Sequence, residues 1–290
     1  MSYQGTKINP TKYDKSQITF IVVLVLLAIF MALPIVYIFV TAFKPLNELF
    51  AYPPRFTVRR PTLENFARIS SVMEESGIPI TRYLANSLFS ALIVVVCTVA
   101  MSVSAGYILS KKRFRCKNLL LTINNMALMF VPAAVKIPRY LVMERLNLLD
   151  LFVSNILPLL AMPVGLFLIK QFIDQVPDAL IEAARIDGAS DFTIVWRIIV
   201  PIIKPAMVTV AILAFQTSWN SAEESTLFIN TDELRTFAFY LSSLTAGSTT
   251  NVASQGMAAA ASLILFVPNL IVFIAMQSKV LNTMAHSGIK

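Results

Sequence analysis

Apolar residues in this chain of 290 gather into six long blocks, with polar residues collected between them. The first block, 18–43, runs about 26 residues without a charge, enough α-helix to cross a bilayer with tilt. Blocks at 83–109, 118–135, 151–172, 202–219 and 256–276 predict five more crossings. The pattern therefore predicts an all-α membrane protein with six transmembrane helices, forming a single domain over residues 1–290. Prolines punctuate the blocks: Pro34 kinks the first, Pro132 lies near the outer end of the third, and Pro158 and Pro163 bend the fourth. Such breaks are tolerated where neighbouring helices satisfy the freed backbone groups. Ser102, Ser104, Ala105 and Gly106 make one end of the second block small, so another helix can approach closely.

The connections differ in character. Residues 44–82 are polar and proline-rich, with short helices expected at 46–50 and 63–75, the second capped by Thr62 or Asn65. After the second block come Lys111, Lys112, Arg113, Arg115 and Lys117, five basic residues in seven, which mark a cytoplasmic loop. Residues 176–205 read as two short helices with a bend. Pro177 and Asp178 suit a first helical turn, and Gly188 suits a left-handed helix end. Ser190 can cap a second helix, which Pro201 interrupts about three turns later. Glu182 followed by Ala183 and Ala184 leaves a thin helix face carrying one acid. That face suits docking into a groove on another protein, and it equally suits an ordinary amphipathic surface loop. Residues 227–255 are rich in serine and threonine outside a helical patch at 235–244.

Composition narrows the class. The chain is 57% hydrophobic and 14% charged, with a mean hydropathy of +0.71. A soluble domain carries about 25% charged residues. The net charge of +8 sits between apolar blocks rather than on one continuous surface, which argues against nucleic acid and for membrane topology. Six crossings put both termini on one side. With that side cytoplasmic, fourteen of the 24 Lys and Arg lie inside, including Lys7, Lys12, Lys15, Lys279 and Lys290. Residues 1–17 carry no small-residue cleavage pattern, so no removable signal is expected. Cys97 and Cys116 lack metal-ligand spacing, and the single histidine, His286, reads as part of the tail.

Polar residues inside or beside the blocks mark a candidate substrate pathway: Asn124, Asn125, Gln216, Trp219 and Asn220. Asn124, Asn125, Gln216 and Asn220 read equally well as helix–helix hydrogen bonders, and Trp219 suits a membrane-interface belt. Glu223 and Glu224 leave open how far the fifth helix extends, and they suggest an acidic mouth. The chain has no phosphate-binding glycine loop, nucleophile elbow or zinc motif, so it does not read as an enzyme. Its apolar blocks hold essentially no ionisable residue, which argues against proton or sodium coupling.

One spacing is more specific. Glu182-Ala183-Ala184, three residues, Gly188, nine residues, then Ile198 and Pro201 resembles the cytoplasmic EAA loop of binding-protein-dependent ABC importer permeases, with Val200 in place of the usual leucine. Val176-Pro177 and Lys204-Pro205 resemble the carbohydrate-uptake branch, of the maltose and glycerol-phosphate type. Ile137-Pro138, Trp219-Asn220 and Thr231–Thr236 are similar to other segments of that branch. The resemblance implies that residues 176–201 form a coupling helix-turn-helix that fits a cleft on an ATP-hydrolysing subunit. It implies that Glu182 pairs with a basic group there, Ala183 and Ala184 allow close contact, Gly188 sets the bend and Asp187 orients the second half. It further implies a second homologous permease, two ATP-binding subunits that hold ATP and magnesium, an extracellular solute-binding protein docking near 44–82, and a sugar or oligosaccharide substrate. The chain itself would carry no cofactor or metal and would lie in a bacterial cytoplasmic membrane with both termini inside. Two alternatives stand beside this: an ABC permease for a non-sugar solute, and a facilitator that needs no ATPase.

Overall fold

The computed structural model describes residues 15–53, 55–75, 77–248 and 252–287. Lys7, Lys12 and the end at 288–290 lie outside them, as do the side chains of Lys15, Lys279 and His286. The described residues form helices and loops with no strand. Three helices are long and apolar enough to cross a membrane: α1 (Lys15–Ala42), α4 (Ile80–Lys111) and α15 (Val252–Ser287). α1 and α15 run continuously through Pro34 and Pro268. Between α1 and α4 stand α2 (Leu46–Leu49) and α3 (Glu64–Glu75). Neither Thr62 nor Asn65 caps α3. Asn65 is buried and its amide donates to the carbonyls of Ala42 (2.9 Å) and Lys44 (2.7 Å), tying α3 to the end of α1.

The other three apolar blocks are bent pairs, so the crossings number three, or six if each pair counts as one. The block at 118–135 differs most from its expected single helix. α5 (Lys117–Ala127) stops, and α6 (Pro132–Arg145) leaves at 116° to it. Eleven residues of α5 reach only about 17 Å. The cause is local: Pro132 starts a helix well but drives Val131 into extended backbone (ψ 129°). A 3-10 turn at Phe152–Asn155 and α7 (Leu157–Leu160) precede α8 (Pro163–Asp174), bent by 45° where Pro163 restarts the helix. Then come α9 (Asp178–Ile186), α10 (Asp191–Ile194), a π-helical turn at Val195–Ile199, and α11 (Val200–Ile202). An 85° bend at Ile203 leads into α12 (Lys204–Asn220). α13 (Glu223–Phe228), a 3-10 turn at Asp232–Leu234 and α14 (Phe237–Ser248) complete the chain before α15.

α4 is the central post, packed against α8 on one side and α12 on the other, while α15 lies against α1, α12 and α14. Missing side chains make the approach close. A Cβ on Gly106 of α4 would lie 3.0 Å from Ile169 Cγ2 of α8. One on Gly165 of α8 would lie 3.1 Å from Val210 Cγ1 of α12 and 3.2 Å from Ser102 Oγ of α4. Helices in lipid associate through such small-residue contacts, because hydrophobicity alone does not favour protein over lipid. α1, by contrast, exposes nearly every apolar side chain from Ile18 to Phe39.

Candidate functional site

Residues 176–205 fold as a compact element against the end of α4 that carries the basic turn. α9 begins after Pro177, whose extended backbone precedes Asp178 at the first helical position. It ends in a Schellman turn: Ala189 N–H donates to Ala184 C=O (2.9 Å) and Gly188 N–H to Arg185 C=O (3.0 Å). Gly188 has φ +80°, a conformation that costs a residue with a Cβ, so glycine is required by geometry. The Ser190 hydroxyl then accepts from Thr193 N–H (3.3 Å) and caps α10.

Pro201 does not interrupt this second helix. It has no N–H to give, and in a regular α-helix its ring would collide with the carbonyl four residues back. The chain widens by one residue into the π turn, with Val200 N–H donating to Val195 C=O, and the helix continues through Pro201 to Ile202. The break falls at Ile203 instead.

Two kinds of contact fix the element. Ile181, Ile194, Ile199 and Ile203 are buried, forming one core with Val103 and Tyr107 of α4, Ile169 and Ile173 of α8, and Ala206 and Val210 of α12. Ile198 is half-buried against the same core. Around the core runs a ring of charge. Lys111 Nζ donates to Val176 C=O (2.6 Å) and pairs with Asp178 (2.8 Å). Lys112 pairs with Asp191 (2.6 Å), whose other oxygen accepts from Tyr107 O–H (3.0 Å) with Arg185 at 3.6 Å. Asp174 joins Ser110 (2.5 Å) to Lys170 (2.6 Å). The Lys112 ammonium and the Tyr107 hydroxyl hold the Asp191 carboxyl below its ordinary value, and Lys111 does the same for Asp178. Both carboxylates also sit in the first turn of a helix, where negative charge is favoured.

The opposite face is left bare. Glu182, Ala183, Asp187 and Gly188 are exposed, Ala184 is half-buried against the core, and Pro201 is exposed. Large apolar side chains stand beside them, with Ile186 87% and Phe192 72% exposed. The sequence reading missed the anchors Tyr107, Lys111, Lys112 and Asp191. Their signal was present: hydrogen-bonding and basic groups in the last turns of one helix, and acids opening two others.

The candidate pathway residues fall in two places. Asn124 donates to Pro163 C=O (3.3 Å) in a cleft of about 200 Å³ that it lines with Ser102 and Met162, between α4, α5 and α8. Asn125, beside it on α5, is exposed. Gln216, Trp219 and Asn220 lie on α12, where the last two bond to α15. Trp219 is 4% exposed, so it is no interface-belt residue. Its indole N–H donates to Leu265 C=O (2.9 Å) and its ring stacks on Phe215. Asn220 accepts from the Asn269 amide (2.8 Å) and donates to Gln216 C=O (2.8 Å). These bonds bind α12 to α15 where Pro268 has removed a helix donor.

Glu223 and Glu224 are not an open acidic mouth. α12 ends at Asn220, and the acids open α13 facing α6, where Lys136 meets Glu223 at 2.9 Å and Arg139 lies 3.6 Å from Glu224. Burial pushes the Glu224 carboxyl up despite a hydrogen bond from Ser221.

The fold is thus a set of apolar, bent helices with an exposed helix pair at one end. The chain belongs to the family described as binding-protein-dependent transport system inner membrane component, whose model matches residues 99–278. It is 26% identical to the arabinooligosaccharides transport system permease protein AraQ of Halalkalibacterium halodurans, over 89% of this chain and 90% of that one. It is 29% identical to the sulfoquinovosyl glycerol transport system permease protein SmoH of Agrobacterium fabrum, over 70% of each. It is 26% identical to the inner membrane ABC transporter permease protein YcjP of Escherichia coli, over 96% and 98%. A chain of a bacterial ABC transporter involved in the import of the acidic polysaccharide alginate shares the fold, with a TM-score of 0.77 and 24% identity, covering 93% of this chain and 99% of that one. The protein is thus a multi-pass membrane component of a transport system rather than an enzyme. Among the described residues no cluster of metal-ligating side chains occurs.

Proposed function

We propose that this chain forms half of the translocation pathway of an ATP-driven importer for a sugar or oligosaccharide, and that residues 176–201 couple it to an ATPase. Each bent pair counts as one crossing, giving six, with both termini and the basic turn on the cytoplasmic side. A second, homologous permease completes the pathway. Two ATP-binding subunits supply ATP and magnesium chemistry, and an extracellular solute-binding protein delivers the solute. The relatives' names support a sugar: AraQ is named for arabinooligosaccharides and SmoH for sulfoquinovosyl glycerol, a sugar glycoside.

One observation carries the coupling role: the α9–α10 element is fixed rigidly on one face and bare on the other. A force applied to Glu182, Ala183 and Ile186 meets no soft joint before α4, α8 and α12, because the Schellman turn, the isoleucine core and the charge ring all lie in the load path. Glu182 then pairs with a basic group on the ATPase while Ala183 and Ala184 let the two backbones approach. Asp187, the last residue of the turn before Gly188, orients the second half of the element. Closure of the ATPases moves the element, and the 85° joint at Ile203 passes the motion to α12. The cleft at Asn124 and Ser102 is the part of the pathway this chain supplies.

The test is uptake and ATP turnover by the whole complex in vesicles. Glu182→Lys and Gly188→Pro are expected to abolish solute-stimulated ATP turnover and uptake while the chain still inserts. Wild-type uptake in both variants would remove the coupling role.

A further inference from the structure

We infer that the groove between α4 and α12 binds one acyl chain of an anionic phospholipid, with the lipid phosphate held by Lys204. The groove has a volume of about 410 Å³, within the range of specific ligand sites. Val95, Val99 and Val103 of α4 form one wall, and Met207 and Ala211 of α12 form the other. The valines are spaced by one helical turn, so the trough follows the helix axes for about 12 Å. It is apolar along its length and carries two residues of different chemistry, Trp196 and Lys204, where α12 begins.

Those two residues point to the ligand. Lys204 is exposed and, among the described residues, is the one charged group lining the groove. At this end of the molecule Lys111, Lys112 and Lys170 are paired with Asp178, Asp191 and Asp174, whereas Arg113, Arg115 and Arg197 pair with no carboxylate among the described residues and do not line the groove. Among the described residues, no carboxylate pairs with Lys204. It is also the first residue of α12, so its charge adds to the positive end of that helix, and an anion there is attracted by both. Trp196 is half-exposed on the π turn, with its ring 6.0 Å from that of Phe192. A tryptophan and an unpaired lysine at one end of an apolar trough match the headgroup level of a bilayer, and basic pockets between transmembrane helices hold acidic headgroups. A helix of another protein chain seated in this groove would have to bring its own acid to Lys204, whereas a phospholipid carries both the chain and the charge. The bound lipid would touch the π turn and the first turn of α12, on either side of the joint at Ile203. The binding claim rests on this geometry and stands apart from the proposed coupling role.

The purified complex is stripped of lipid in detergent and titrated with phosphatidylglycerol or phosphatidylcholine, and retained lipid is counted by native mass spectrometry. One phosphatidylglycerol per copy of this chain is expected to persist in preference to phosphatidylcholine, and millimolar inorganic phosphate is expected not to displace it. Lys204→Gln should weaken phosphatidylglycerol binding about fivefold, while Lys204→Arg retains it. Ala211→Trp, which fills the trough, should abolish retention of either lipid. Lys204→Gln removes no packed group, so its result stands even where Ala211→Trp fails to assemble. Equal binding by wild type and Lys204→Gln, equal retention of the two lipids, displacement by phosphate, or a partner helix seen in the groove by cryo-microscopy would each overturn the site.

Discussion

The two ends of the α4–α8–α12 core are built differently. At the end bearing the basic turn, an aliphatic core of Ile169, Ile173, Ile181, Ile194 and Ile199 carries the contact, with charge pairs outside it. At the other end, residues 221–237 are held by a lattice of hydrogen bonds to backbone. Asn155 donates to Leu234 C=O (2.9 Å) and accepts from Ser225 O–H (2.8 Å). Asn86 donates to the carbonyls of Glu233 (2.7 Å) and Arg235 (2.9 Å). Phe237 N–H donates to Ser87 Oγ (2.8 Å), and Asp150 accepts from the N–H groups of Asn230 and Thr231. Close-packed isoleucines resist displacement in every direction, so the first end suits transmission of force. Buried amide bonds fix a particular loop path, so the second end suits the holding of a shape. The first leaves Ile186 and Phe192 bare beside its anchored face, at the tip of the α9–α10 element.

Substitutions can break this contrast. The largest effect is expected from Gly188→Pro, because a proline φ near −65° cannot adopt the observed +80°. Solute-stimulated ATP turnover by the complex should vanish with the chain still inserted, read by turnover assay and membrane fractionation. Ile194→Ala comes next. The side chain is fully buried, and its truncation should cost about 2–5 kcal/mol and lower the unfolding temperature of the complex, with uncoupled ATP turnover as its signature. Asn155→Leu should cost about 1–3 kcal/mol by stranding the part-buried Leu234 C=O, while Ser225 keeps its bonds to Thr236, yet leave ATP turnover coupled to uptake. That split between the two ends is what the contrast demands, and uncoupling by Asn155→Leu would erase it.

Asp191→Asn should have the smallest effect, at most about 1 kcal/mol, since the side chain is half-exposed to solvent that screens its pairs. Its pH dependence has a definite sign. The folded carboxyl titrates below its ordinary value of 3.8, so the stabilisation is present above that value and is lost as pH falls through the lower, folded value. Unfolding curves of wild type and variant should therefore differ at pH 7 and converge in acid.

The long helices were legible because continuous apolar runs have few other solutions in a membrane protein. Gly188 and Ser190 were legible because their roles are local. Residues whose roles depend on a distant partner were not. Asn65 has a good helix-capping side chain but spends it on the end of α1, and Trp219 looks like an interface residue but bonds to Leu265. Pro201 defeated a local rule because a π turn absorbs the proline without ending the helix. The break after α5 was written in Val131-Pro132, yet the apolar run across it masked a 116° change of direction. Tyr107 and Lys112 read as span and topology signal, and only the fold brings them to Asp191.

The central claim is that residues 176–201 form a rigid handle gripped from the cell interior by an ATPase. It is tested most directly with a single cysteine at Ile186, the barest apolar position on α9, in a chain whose Cys97 and Cys116 have been replaced. In sealed vesicles the thiol should react with a membrane-impermeant reagent only from the cytoplasmic face. It should be shielded by the ATPase subunits and form a disulfide with a cysteine placed in their docking cleft. Labelling from the outer face, or labelling unchanged by the presence of the ATPase, would contradict the account.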